Sequence, residues 1–116
     1  MGVDVYNLIG FGIEVDEKTK IYDSEDAGYY EGDEPPDVWT ADLEKFGLKY
    51  YWAENAGYVG IFSLNDSYRG SFDISYNYEA FAKKLREAEN AFSKFSETNQ
   101  VFSEKEVKFY ATTLYR

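Results

Sequence analysis

The chain has 116 residues, 44% hydrophobic and 20% aromatic, with a net charge of −10 and no histidine or cysteine. Such a composition can close one core and is too aromatic for a disordered chain. Without cysteine there are no disulfides or thiolate sites; without histidine, no side chain titrates near neutrality unless perturbed, so Ser-His-Asp and Cys-His catalysis and His-ligated metals are excluded.

The charge is concentrated. Residues 14 to 44 hold twelve acids against Lys18 and Lys20, which is the whole net charge, and seven acids stand between Asp23 and Asp37 without a base. A nucleic-acid binder needs the opposite sign on its contact face, which argues against direct DNA or RNA binding. No run reaches the roughly 18 apolar residues of a membrane helix, and the start Met1-Gly2-Val3-Asp4 lacks the pattern of a signal peptide. The expectation is a cytoplasmic protein with no membrane partner, built as a single α+β domain over residues 1–116.

In chain order, Val3, Val5, Ile9, Phe11, Ile13 and Val15 alternate with Asp4, Tyr6, Gly10, Gly12 and Glu14, the pattern of a long strand with one buried face. A turn at Asp16–Thr19 leads to a short edge strand at Lys20-Ile21-Tyr22, then to an acidic loop ending at Pro35-Pro36. Asp37 is placed to cap a short helix with Trp39, Leu43 and Phe46 on one face, stopped by Gly47. A hairpin follows, Leu48–Glu54 and Tyr58–Leu64 around Asn55-Ala56-Gly57, with Leu48, Tyr50 and Trp52 facing the core and Tyr51 facing out. Phe72, Ile74 and Tyr76 mark a fourth strand.

Asn77 then caps the strongest helix pattern, Phe81, Leu85, Ala88, Phe92 and Phe95. This stripe is close to a heptad seam and could serve a homodimer, but a partner within the chain is the simpler match. Ser103 and Glu106 form a capping-box pattern stapled by Phe102 and Val107, which predicts a last helix to Leu114. The resulting fold is α+β: a four-stranded antiparallel sheet, a short helix between strands, and a C-terminal antiparallel helix pair on one face.

No cofactor pattern is complete. Counting from Asp23, Gly28 and Glu34 fall at the sixth and twelfth places of a calcium loop, but Glu25 and Ala27 break the third and fifth. Gly10-Phe11-Gly12 lacks the third glycine and the helix of a dinucleotide loop, and marks instead a bulge or a close backbone. Lys83, Lys84 and Arg86 read as a solvated face or an internal counter-charge.

The acidic loop is the sharpest candidate site: Asp23, Glu25, Asp26, Tyr29, Tyr30, Glu31, Asp33, Glu34 and Asp37, carboxylates for a basic surface with two tyrosines for contact area. The expected function is binding and not catalysis, with the carboxylates imitating phosphates in the nucleic-acid site of a partner enzyme. In size, charge and aromatic content the chain is similar to small phage-encoded blockers of defence nucleases, anti-restriction and anti-CRISPR proteins among them, and to acidic immunity proteins of nuclease toxins. The alternative is an assembly module that docks through exposed Tyr6 and Tyr51, its acidity serving solubility.

Overall fold

The computed structural model describes residues 5–30, 32, 34–54, 56–66 and 78–115, with the backbone alone at 29, 30, 65 and 66. Its elements are β1 (Val5–Val15), β2 (Ile21–Tyr22), a 3-10 segment (Ser24–Tyr30), β3 (Val38–Trp39), α1 (Thr40–Glu44), β4 (Lys49–Trp52), β5 (Gly57–Asp66), α2 (Tyr78–Ser96), a 3-10 turn (Gln100–Phe102) and β6 (Lys108–Tyr115). β1 lies between β5 and β6, β4 extends the sheet beyond β5, and all pairings are antiparallel. β2 and β3 form a separate parallel pair. The fold is α+β, a four-stranded antiparallel sheet with α2 packed on one face.

The fourth strand differs from expectation. Phe72, Ile74, Tyr76 and the Asn77 cap lie outside the described residues; the strand beside β1 comes from Lys108–Tyr115, where the capping box predicts a helix. Among the described residues α2 therefore has no second C-terminal helix beside it, Lys108–Tyr115 being a strand. Tyr110, Ala111 and Leu114 satisfy a helical spacing, yet the same eight residues are rich in threonine and aromatics, which suit a strand. Pairing with the open side of β1 decides between the two, because it satisfies backbone groups that a helix there would leave to other partners.

Both faces of β1 are buried, whereas the alternation predicts one. On one face Phe11 packs against Phe81 of α2 and Phe109 of β6, ring centroids 4.8 and 5.3 Å away. Further along, Ile13, Val59, Leu43, Leu48, Phe92, Phe95 and Phe102 close the main core. On the other face Leu8, Tyr51, Tyr58 and Leu114 are buried together with Phe62 and Tyr110 packed around them.

The second core exists because the sheet is coiled. In β1 register the β4–β5 turn adjoins Val15, opposite Gly57, while Tyr115 lies opposite Val5. Those ends would stand about 30 Å apart in a flat sheet. Instead the Glu54 N–H donates to the Tyr115 carbonyl at 2.8 Å, joining one edge of the sheet to the other. Glycines permit the curvature. A Cβ at Gly12 or Gly60 would sit 2.8 Å from the Phe62 ring and nearer still to the Val59 or Phe11 carbonyl, so bare backbone forms the floor on which that ring lies.

Candidate functional site

The acidic loop is held at its base. Lys20 and Asp37 exchange backbone and side-chain bonds: the Lys20 N–H donates to the Asp37 carboxylate at 2.8 Å, and the Asp37 N–H to the Lys20 carbonyl at 2.8 Å. The Asn99 side-chain amide donates to the Asp37 carbonyl, anchoring the loop to the C-terminal half. Asp37 is therefore a brace and not the cap of α1, whose preceding residue, Trp39, makes no side-chain capping bond. The Ser24 hydroxyl takes that role from a distance of sixteen or more residues, accepting the Ala41 N–H at 2.8 Å while the Ser24 N–H donates to the Thr40 hydroxyl.

Between these anchors Ser24–Tyr30 forms the 3-10 segment, where a loop is expected. The Asp23 carboxylate accepts the Glu25 N–H at 2.9 Å and starts the turn, as aspartate does where backbone donors lack partners. Asp23, Glu25 and Asp26 are exposed. Glu34 is paired with Lys20 at 2.7 Å, which lowers the Glu34 pKa and raises that of Lys20 through their hydrogen bond and mutual charge. Among the described residues the base ion-paired with the loop is thus Lys20, while Lys83, Lys84 and Arg86 are exposed on α2. Glu31 and Asp33, with the side chains of Tyr29 and Tyr30, lie outside the described residues.

The segment borders a groove that the sequence does not reveal. Two adjoining cavities of about 370 and 550 Å³ share Asp23, Thr40 and Tyr50. Around them stand Glu25 and Glu44 at one end and Asp26 and Trp52 at the other. Lys49 also borders it, but its ammonium lies over the Tyr51 ring, 5.5 Å from the centroid. Burial holds the Tyr50 hydroxyl above its ordinary pKa, so this wall is neutral at physiological pH. Among the described residues no group of three or more carboxylates could hold a metal ion, and no helix is long and apolar enough to cross a membrane.

Of the aromatic assignments in β4, Tyr50 packs against the main core as expected, and the other two are reversed. Tyr51, expected at the surface, is 8% exposed, and Trp52, expected in the core, is 55% exposed. Tyr51 faces the inside of the coil, where it packs edge-on against Phe62 and its hydroxyl donates to the Phe62 carbonyl. Tyr6 is half-buried opposite Leu114. Trp52 ends the edge strand. Alternation alone carries no sign of either outcome, since it separates the two faces without telling which face the sheet curls around.

No protein-family model, curated protein or solved structure matches the chain.

Proposed function

We propose that this is a binding protein that engages a basic protein surface through its acidic N-terminal half. The nucleic-acid-binding site of an enzyme that it inhibits is the partner surface this chemistry fits best, in the manner of anti-restriction, anti-CRISPR and nuclease immunity proteins. The observation that carries the reading is the display of Asp23, Glu25 and Asp26 as exposed carboxylates on one short braced segment, within the stretch that holds the whole net charge. Carboxylates carried on a braced backbone give a steered encounter and a defined register with a cationic surface. Its action is binding, not catalysis, and its location the cytoplasm.

The test is capture from a bacterial lysate with the native chain and with a Glu25→Gln/Asp26→Asn variant as parallel baits, at low and high salt. The expected result is a basic protein held by the native bait, released by salt and held less by the variant. Equal capture by both baits sinks the reading. A second reading, assembly through exposed aromatics, is favoured by the exposure of Trp52, Phe109 and Tyr115. It predicts a salt-insensitive oligomer in sedimentation.

A further inference from the structure

We infer that the groove between the acidic segment and β4 receives an arginine side chain of the basic partner, its guanidinium stacked on Trp52 and paired with the carboxylates beside it. The inference rests on the reading just proposed and names what that surface recognises.

Carboxylates alone would make only a solvated face. What distinguishes this one is that it shares a concavity with an aromatic wall. Asp23, Asp26, Tyr50 and Trp52 line a single lobe of about 550 Å³, with no base among its described lining residues. Glu25 and Glu44 continue the negative lining into the adjoining lobe. Trp52 leaves more than half of its surface open to solvent. An exposed indole beside carboxylates attracts a cation twice, through the ring quadrupole and through charge.

Among cations the pairing favours arginine. Guanidinium is planar, weakly hydrated and forked, so it can stack on an indole face while donating in its own plane to a carboxylate. Ammonium is a strongly hydrated point charge that gains less from either wall. The volume suits a side chain and not a folded element.

The test compares hexa-arginine and hexa-lysine peptides, equal in charge, by calorimetric titration of the full chain at low salt. Hexa-arginine is expected to bind about two- to fivefold more tightly, the factor an exposed cation–π contact supplies. Trp52→Ala should remove that preference while leaving hexa-lysine binding in place, and Trp52→Phe should restore part of it. Circular dichroism of the variants checks that the fold is kept. Equal affinity for the two peptides, or a preference that survives Trp52→Ala, overturns the inference. If Glu25→Gln/Asp26→Asn weakens both peptides yet Trp52→Ala changes nothing, the groove falls and the broader reading stands. If neither variant affects either peptide, both fall.

Discussion

Between Asp23 and Asp37 the backbone keeps its course through a few polar anchors at its base, whereas the Phe62 face of the sheet is held by rings lying on bare backbone. The first arrangement leaves the Asp23, Glu25 and Asp26 side chains exposed and contributes little to stability per group, because exposed charges are screened. The second is intolerant of a single added methyl. A chain built this way can vary the charges it displays at almost no cost to its fold, and can vary the coiled face hardly at all.

The largest effect is expected where that intolerance is greatest. Gly12→Val places branched carbon against the Val59 carbonyl and the Phe62 ring, backbone and ring being unable to yield together. A loss of about 3 kcal/mol or more follows from overpacking, a large share of the total stability of a domain this size. Denaturant titration measures it, and a midpoint within error of the native chain would show that the coil is looser than described. Next comes Phe62→Ala, which strips the glycine floor and removes the ring contacts to Tyr51, Tyr58 and Tyr110. The expected cost is about 3 kcal/mol, the low end for a phenylalanine because Phe62 is only half-buried.

How much of this the sequence discloses differs between the same two regions. β1, the β4–β5 hairpin and α2 follow from alternation and helical spacing, because each pattern is long enough to have one sensible reading. β6 does not follow, since eight residues fit a strand and a helix alike and the open side of β1 makes the choice. The carboxylates of the acidic segment are legible from charge alone. The brace by Asp37, the cap from Ser24 and the exposure of Trp52 are not, because each depends on a contact between residues distant in the chain or on the direction in which the sheet curls.

Alkaline pH probes the coiled face by another route. Burial, with the Glu14 charge second, raises the Tyr58 pKa above its ordinary value of 10.0, while a hydrogen bond with Thr112 opposes the shift. A tyrosine whose pKa is raised on folding binds its proton more tightly in the native state. Its contribution is therefore fully present below about pH 10 and is lost as pH rises through the higher folded value. Tyr58→Phe should reduce the loss of stability above pH 10, the share of Tyr50 remaining, and leave the profile at pH 5–8 unchanged in shape, as read by thermal melts from pH 5 to 11. An alkaline slope undiminished by the substitution would place the titrating group elsewhere.

The acidic segment supplies the smallest effects, and its own residues can be set against each other. Asp37→Ala removes the acceptor for the Lys20 N–H and should cost about 1 kcal/mol, or about 4 °C in melting temperature. Glu25→Gln with Asp26→Asn removes two exposed carboxylates whose side chains carry no bond that shapes the segment, and should change stability by less than about 0.5 kcal/mol. Binding should order the same variants in reverse, the double variant losing affinity for a basic partner through slower association and Asp37→Ala losing less, because a brace acts on the partner only through the course of the backbone. Melting curves and association rates measured on the same two proteins check this inversion. Parallel changes in both quantities would mean that the carboxylates serve the fold and that the division between the two regions is wrong.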